Sequence, residues 1–456
     1  MMNPYYFIHD SDRIALQALK AIPGFSQLLK AIMKIWNEKQ FRIQNMSTNL
    51  RISEKQLSRY HNMLPPICEK LGIAVPELYL KLDVRPNAYT AGDTNPFIII
   101  TSGLLKTMPE EIIPTVLAHE CGHIACHHSL YTTIGRIILS EAINFIPVDF
   151  VNFAIFPIQV AFSYWMRCSE LSADRAAALC DGTPEKVMEM CLRLAGYDKD
   201  VSAEANIDEF MNQALDYMDM VNDSKWNKTL EFLFLTGQDH PLNTVRAHEC
   251  SEWSKNERYE KMVLYLNNAS ERESESIGSY LKEAPMPEAS KSYVGNNVAD
   301  VQSVLQDLGF TNVKTTKLTQ KGLMVRDGQV LNIRVNEKDG FGMSEWYPID
   351  SEIVIEFYEP ETDEEVIAAH PSQLRVPDAA KRYLGRAFQE VVAELHNTGF
   401  TEIITEEQKK VKKGLLSKSG GVSIISINGQ TQFDKGEWFA EKATIKIIYQ
   451  TFPDKK

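Results

Sequence analysis

The sequence lacks most of the features that mark secreted, disulfide-bonded or nucleic-acid-binding proteins. Its seven cysteines are scattered, none follows Cys250, and no C-x-x-C pair occurs. An odd number of scattered thiols argues against a disulfide framework and is typical of a reducing compartment. Basic residues number 48 against 61 acidic ones, which gives a net charge of −13. This acidic balance argues against nucleic acid or anionic lipid as a general partner.

Long apolar runs are also lacking. A membrane-spanning helix needs about 20 apolar residues. The uncharged stretch 150–166 is shorter and is interrupted by Asn152, Pro157 and Gln159. We predict that 130–166 forms a buried helical hairpin; membrane insertion, and peripheral membrane contact through 134–166, remain alternatives. No basic segment followed by an apolar one occurs in 1–12, so no secretory signal is expected and a cytoplasmic location is predicted.

Histidine is scarce, with ten residues in 456, yet an H-E-x-x-H motif spans His119 to His123. On a helix the two histidines lie about 40° apart on one face, one turn from each other. Both imidazoles could bind one zinc ion at roughly 2.0–2.1 Å. Glu120 projects too far round the helix to be a third ligand from the same turn. It is placed to accept a proton from a metal-bound water.

A second acidic motif follows in 167–177, where Glu170 and Asp174 are four residues apart. On a helix they would share one face, which could be merely a solvated surface. Next to an H-E-x-x-H helix, however, Glu170 is the expected third zinc ligand. Asp174 could then hydrogen-bond a ligating histidine and orient it.

The metal site could instead be structural, because structural zinc sites usually have four protein ligands. His127 would lie on the ligand face, one turn past His123, and His128 or Cys126 could also supply a fourth ligand. The protein would then be a binding or interaction protein whose C-terminal repeats carry the function. Hydrolysis of a non-peptide amide, such as cell-wall material, is a third hypothesis, against which the missing export signal counts.

A further candidate lies in the polar segment 238–246. His240 precedes Pro241, which restricts it to an extended or turn conformation. A histidine in a polar loop is commonly a surface residue. His240 is nevertheless a candidate for stabilising an oxyanion, a role that the two predicted helices leave unfilled.

The C-terminal third repeats itself at an offset of about 90 residues. Residues 301–311 match 391–401, and 352–357 match 444–449. Each copy reads as a short helix followed by strands of alternating polarity. The offset exceeds what one unit needs, which predicts a spacer between two modules. The predicted organisation is an N-terminal helical segment (1–50), a metal-binding domain (51–255), a helix end and linker (256–292), repeat 1 (293–359), a spacer (360–385) and repeat 2 (386–452).

Four motifs occur together in one order, namely PNAYTAG at 86–92, HECGH at 119–123, SELSADRAA at 169–177 and HPLNTVR at 240–246. This combination resembles the zinc metallopeptidases related to HtpX and the CAAX prenyl protease, from about Ser53 to Trp253. Those proteins are embedded in membranes by several helices, and this chain shows none convincingly. It therefore looks more like the soluble branch of the family, and prenylated substrates are not inferred. The C-terminal modules resemble PASTA-like repeats, through a G-F-T turn, Asn428-Gly429 and the closing strand.

The resemblance implies an α+β fold, with a mainly helical gluzincin-type metallopeptidase domain and a small sheet, followed by two small α+β modules. It implies a zinc-dependent metalloendopeptidase that holds one Zn²⁺ per chain and binds a polypeptide as an extended strand. The residues matched to the family motifs are His119, His123 and Glu170 as metal ligands, Glu120 as general base, Asp174 as an orienting acid, His240 and Arg246 lining the active site, and Asn87, Ala88 and Tyr89 on the substrate-binding strand. The partner of the repeats is not indicated.

Overall fold

The computed structural model describes residues 2–35, 38–92, 94–139, 155–196, 204–222, 242–319, 326–409 and 418–452. The chain forms two compact units. The larger comprises Met1–Leu318 and Gly322–Tyr358, and the smaller comprises Thr319–Lys321 and Glu359–Lys456. The larger unit therefore contains the predicted metal-binding domain together with repeat 1. The α+β fold class expected from the sequence is confirmed.

Helices make up most of the larger unit. Their bounds are α1 Asp10–Ala21, α2 Phe25–Ile35, α3 Glu38–Thr48, α4 Ser58–His61, α5 Leu64–Leu71, α6 Ser102–Thr107, α7 Ile113–Ala125, α8 His128–Leu139, α9 Ile155–Asp181, α10 Glu185–Leu194, α11 Ile207–Asn222, α12 Asn243–Ser254, α13 Glu257–Asn267, α14 Ala269–Ser274, α15 Ile277–Leu281 and α16 Val298–Asp307. The H-E-x-x-H motif lies on α7, and the second acidic motif lies on α9.

A four-stranded sheet lies beside α7. Its strands are β1 Leu50–Ile52, β2 Glu77–Lys81, β3 Ala88–Ala91 and β4 Phe97–Thr101, in the order β1-β2-β4-β3. All five residues of β4 are buried, as expected of an apolar interior strand. Strand β3 runs antiparallel to β4, is the outermost strand on its side of the sheet among the described residues, and contacts α7. The motif predicted to bind substrate therefore forms an edge strand next to the metal helix.

Helices α7 and α9 approach each other closely because small residues line their contact. A Cβ atom added at Gly122 would lie 2.7 Å from Cβ of Ala176 and 3.0 Å from Cα of Ala173. Any side chain at 122 would therefore push the helices apart. This close approach brings the polar face of α9 opposite the two histidines of α7.

The described parts of the predicted hairpin, 130–139 and 155–166, pack into a core with the N-terminal helices. That core contains Leu19, Phe25, Leu28, Ile32, Ile134, Ile138, Ile158, Phe162 and Trp165, all fully or almost fully buried. Residues 140–154 of the prediction lie outside the described residues. Among the helices that the structure describes, none is long and apolar enough to cross a membrane.

Repeat 1 has strands β5 Glu283–Pro285, β6 Val313–Leu318, β7 Gln329–Val335, β8 Lys338–Asp339, β9 Trp346–Pro348 and β10 Ile353–Tyr358. One sheet has the order β6-β10-β7-β8, and β5 pairs with β9. Its core is continuous with that of the metallopeptidase-like region. Helix α1 also contacts repeat 1. Its Arg13 donates hydrogen bonds to Oγ of Ser344 (2.8 Å) and to the carbonyl of Met286 (3.2 Å).

Repeat 2 forms the smaller unit and has its own apolar core. Its elements are α17 Asp363–Ala368, β11 Gln373–Arg375, α18 Ala380–Tyr383, α19 Phe388–Asn397, β12 Ile403–Lys409, β13 Gly421–Ile427, β14 Trp438–Ala440 and β15 Ile445–Thr451. The structure differs here from the predicted spacer 360–385. Strand β11 lies in that segment and pairs with β14, as β5 pairs with β9 in repeat 1. Each module therefore begins before the helix that the sequence comparison recognised.

Candidate metal centre

Helix α7 presents His119 and His123 towards α9. Both side chains are buried, and their ring centroids are 4.9 Å apart. The helix begins with Pro114 in its first turn, where a missing N–H costs nothing, and it ends at Ala125. The two imidazoles are therefore fixed one turn apart on a rigid, buried helix.

Glu170 on α9 faces both histidines. Its Oε2 lies 3.4 Å from Nε2 of His119, and its Oε1 lies 3.3 Å from Nε2 of His123. One donor atom from each of the three residues lies within 4.8 Å of the others. Two imidazole nitrogens and a carboxylate are the donor set of catalytic zinc sites that keep one position for water. The residues present therefore fit a zinc ion.

No fourth ligand from the end of α7 joins this cluster in the part of the chain that the structure describes. The prediction that His127 lies on the ligand face is wrong, because the helix stops two residues earlier. His127 has a φ of +56°, in the left-handed region, and it turns the chain into α8. His128 lies behind His123, with Nδ1 of each ring 3.1 Å apart. The structural-zinc hypothesis thus has no fourth protein ligand among the described residues.

Asp174 and Arg246 both contact Nδ1 of the His119 imidazole. Oδ1 of Asp174 lies 2.9 Å from Nδ1 of His119. Arg246, on α12, donates to both oxygens of Asp174, at 2.7 and 2.8 Å. Burial alone would raise the pKa of Asp174, but the charge of Arg246 and the hydrogen bonds from Arg246 and His119 lower it to about 2. Asp174 is therefore an anion that can fix the tautomer of His119.

Arg246 also reaches the third residue of the cluster. Its Nη1 lies 3.2 Å from Oε2 of Glu170. The guanidinium is buried and shared between two carboxylates, which compensates part of their charge. Arg246, matched to the site only through the family resemblance, thus lies against the cluster.

Glu120 is buried beside the edge strand, and its two carboxylate oxygens have different surroundings. Oε2 accepts a hydrogen bond of 2.7 Å from the hydroxyl of Thr90, while Oε1 has no hydrogen-bond partner among the described residues. Thr90 was not predicted to be a site residue. The signal was present in the alternation of β3, because Ala88 and Thr90 are its two buried positions.

The other predicted substrate residues lie at the start of the same strand. Asn87 immediately precedes β3, and its carbonyl accepts a hydrogen bond of 2.9 Å from the backbone of Thr101. Ala88 points inwards and Tyr89 is half-buried on the opposite face. His240 lies outside the described residues, so its predicted role stays a prediction.

Asp12 is the residue that sequence reasoning missed entirely. It lies on α1, it is buried, and its Oδ2 is 2.9 Å from Nε2 of His128, the imidazole behind His123. No local period connects position 12 to the motifs at 119–128. A contact between such distant residues becomes visible only in the folded chain.

Comparison with known proteins agrees with this geometry. Residues 54–254 match the sequence profile of Peptidase family M48. The chain is 31% identical over 266 residues to the plastoglobule-localized metallopeptidase 48, chloroplastic, of Arabidopsis thaliana, which covers 58% of this chain and 76% of that protein. It is 26% identical over 160 residues to a protease HtpX homolog of Ralstonia nicotianae, spanning 29% of this chain and about half (54%) of that relative.

Among solved structures, the three-PASTA-domain of a Ser/Thr kinase from Staphylococcus aureus matches 37% of this chain and 66% of that one. The sequence identity is 15% and the TM-score is 0.16. The PASTA-like character of the two modules therefore depends on their own sequence pattern and strand pairing. The metallopeptidase region is identified more firmly, by the profile match, the Arabidopsis relative and the buried His-His-Glu cluster. The chain belongs to Peptidase family M48, the zinc metallopeptidases.

Proposed function

We propose that this chain is a zinc-dependent endopeptidase in which Glu120 is the general base and His119, His123 and Glu170 are the metal ligands. The observation that supports this most strongly is the buried His-His-Glu cluster together with a second buried carboxylate, that of Glu120, which follows His119 on α7. A carboxylate that does not bind the metal is needed for proton transfer.

The zinc ion, when bound, would bring the pKa of a coordinated water to about 7 and polarise the carbonyl of the scissile peptide. Oε1 of Glu120 accepts the proton that the attacking water gives up. The same carboxyl then passes a proton to the amine that leaves. Thr90 holds Oε2, so the unpartnered Oε1 is the oxygen available for this exchange.

The proposed substrate is a polypeptide that lies in extended form against β3. An edge strand next to the metal helix supports this, because a peptide can add to a sheet edge through main-chain hydrogen bonds. Such binding reads the backbone more than the side chains, so a broad sequence preference is expected. His240 is proposed to donate to the oxyanion, a contribution of about 10²–10³ in rate for one such donor.

The test is Glu120→Gln, which keeps the shape of the side chain and removes its basicity. We expect the variant to bind zinc at the parent stoichiometry and to lose measurable cleavage of a quenched-fluorescent peptide library. Zinc content is measured by atomic emission and cleavage by fluorescence. Glu111→Gln, the same change at an exposed position of the preceding turn, is the control and should behave like the parent.

Cleavage by Glu120→Gln at the parent rate would contradict the proposal. Zinc bound without any hydrolysis by the parent protein would favour the structural-zinc alternative. Inhibition of the parent by a hydroxamate separates the two, because a hydroxamate needs an open position on the metal.

The cellular location is proposed only as far as its redox state. All seven cysteines are free, and six are buried, which supports a reducing compartment. The predicted cytoplasmic location and the predicted peripheral membrane contact through 134–166 stay predictions.

A further inference from the structure

The two ligating histidines are supported from behind in different ways. His119 contacts the carboxylate of Asp174 directly, as described above. His123 contacts a second imidazole, with its Nδ1 3.1 Å from Nδ1 of His128. Nε2 of His128 in turn lies 2.9 Å from Oδ2 of Asp12. Each ligand is thus backed by a buried carboxylate, one in contact and one through an intervening ring.

Asp12 sits in a site built to hold its charge. The side chain is 1% exposed. Oδ1 accepts a hydrogen bond of 2.8 Å from Nε1 of Trp165, and Oδ2 accepts one of 2.5 Å from the hydroxyl of Ser172. Both donors come from α9, the helix that carries Glu170. Asp12 therefore ties α1 to the helix of the third ligand as well as to His128.

When His123 binds a metal, these contacts admit one arrangement of protons. Nε2 of His123 faces Glu170 and must be unprotonated to bind a metal, so Nδ1 carries the hydrogen. That hydrogen is donated to Nδ1 of His128, which must then carry its own hydrogen on Nε2. The negative charge of Asp12, whose Oδ2 lies 2.9 Å from Nε2, favours a hydrogen at that atom. A carboxylate at 12 thus selects the tautomer of His128 and, through it, the tautomer of His123 that can bind zinc.

We propose that Asp12 is a positioning residue for the zinc site, acting on the ligand His123 through His128. The inference rests on the proposed ligand set and connects it to Asp12, a residue outside the region 54–254 that matches the family profile. Asp12 and His128 do for His123 what Arg246-bound Asp174 does for His119.

The experiment measures zinc affinity in the full chain by competition with a chromogenic chelator. Groups that orient a ligating histidine are typically worth about 10- to 100-fold in metal affinity. We expect Asp12→Asn to raise the zinc Kd by at least about tenfold, with a parallel change in the visible spectrum of the cobalt-substituted protein. Asp10→Asn, on the exposed side of the same helix, is the matched control and should leave both unchanged.

A double-mutant cycle separates positioning from a general loss of stability. His128→Asn keeps an acceptor near the position of Nδ1 but breaks the connection to Asp12. In that background Asp12→Asn should change the zinc Kd by less than about twofold, because its route to His123 is already cut. An equal loss of affinity in both backgrounds would show that Asp12 acts otherwise and would overturn the proposal.

The outcomes distinguish the proposal from the one it rests on. Failure of the parent and of Asp10→Asn to bind zinc would reject the metal site itself. Tight zinc binding by the parent and by Asp12→Asn alike would reject only the role of Asp12. If Asp12→Asn does not fold, the cycle is repeated with Ser172→Ala, which removes one donor from Asp12. An unchanged zinc Kd for that variant overturns the proposal too.

Discussion

At the scale of single residues, the carboxylate of Glu120 is buried, and its two oxygens differ in hydrogen bonding among the described residues. A buried carboxylate with one oxygen held and one unheld keeps a fixed direction while still being able to exchange a proton. The hydroxyl of Thr90 is what holds it, and Thr90 is held in turn by the pairing of β3 with β4. The position of the proposed base is therefore set by the sheet as well as by α7.

This arrangement predicts the effect of Thr90→Val, which replaces the hydroxyl by a methyl group of similar size. We expect kcat to fall by about tenfold or more with little change in KM, since the loss of a buried hydrogen bond costs about 1–3 kcal/mol and misdirects Glu120. Steady-state kinetics on a peptide substrate measure it. Thr90→Ser keeps the hydroxyl and should recover most of kcat; equal losses in both variants would contradict the role given to the hydroxyl.

At the scale of secondary-structure elements, the site depends on how closely α7 and α9 pack. The proposed ligands come from two helices, so their separation is set by the residues between the helix axes. Gly122 occupies the closest point, next to Ala173 and Ala176. The glycine inside the H-E-x-x-H motif thus has a packing reason of its own.

We predict that Gly122→Ala destabilises the protein by about 1–3 kcal/mol, the usual cost of overpacking a close contact. It should also weaken zinc binding, because the added methyl group separates the ligands of α7 from Glu170. Urea unfolding and zinc competition measure the two effects. Adding Ala176→Gly removes the atom nearest the new methyl group and should restore part of the stability; no recovery would mean that the contact is not the cause.

Arg246 on α12 and Asp174 on α9 form a buried ion pair between the two helices. Arg246→Met is predicted to lower the free energy of unfolding by about 3–5 kcal/mol, because it leaves the charge of Asp174 uncompensated. The double variant Arg246→Met with Asp174→Asn removes that charge and should lose less than the single variant. Urea unfolding of the three proteins decides it. A single-variant loss below about 1 kcal/mol would contradict the assignment of a compensating pair.

The sequence predicted which residues of this site share a helix face where those residues are close along one helix. The spacing of His119 and His123, and that of Glu170 and Asp174, follows from helical periodicity alone. Helical spacing alone did not predict that Glu170 and Asp174 face the two histidines. That prediction needed the combination of motifs, and the structure places the four side chains next to one another. Thr90 was indicated only by strand alternation, and Asp12 by nothing local, because burial of a contact across more than a hundred residues leaves no periodic trace.

The same limit applies to the repeats. Their helices and closing strands were recognisable because they recur in sequence, whereas β11 was assigned to a spacer. A three-residue strand such as β11 has too few positions to show an alternating pattern, and it is defined only by its pairing with β14. The internal repeat was therefore visible in the sequence, whereas both modules begin earlier than the sequence predicted.

At the scale of the whole molecule, the two units have separate cores. Among the described residues, the buried core of repeat 2 comprises residues between 376 and 447, whereas repeat 1 shares its core with the metallopeptidase region. Two modules that look alike in sequence are therefore not equivalent in the folded chain. Repeat 1 belongs to the same unit as the metallopeptidase region, and repeat 2 is a compact unit of its own.

We predict that residues 1–358 fold, bind zinc and cleave peptides at the parent rate, because no core residue of the larger unit is removed. Residues 51–456 should instead be poorly folded, since the truncation exposes the apolar face that Leu19, Phe25, Leu28 and Ile32 cover. Thermal unfolding, dye binding and peptide cleavage compare the two. A stable, active 51–456 protein would contradict the structural role given to the N-terminal helices.

Neighbouring residues of helix α1 contact two different regions of the larger unit. Asp12 faces His128 and the metal site, while Arg13 and Gln17 bond to Ser344 and Glu288 of repeat 1. One short helix thus contacts both the candidate metal site and repeat 1. A mutation that rotates or shifts this helix disturbs both regions at once. Sequence change in α1 is consequently constrained from two sides, although this helix lies well outside the segment by which the family is recognised.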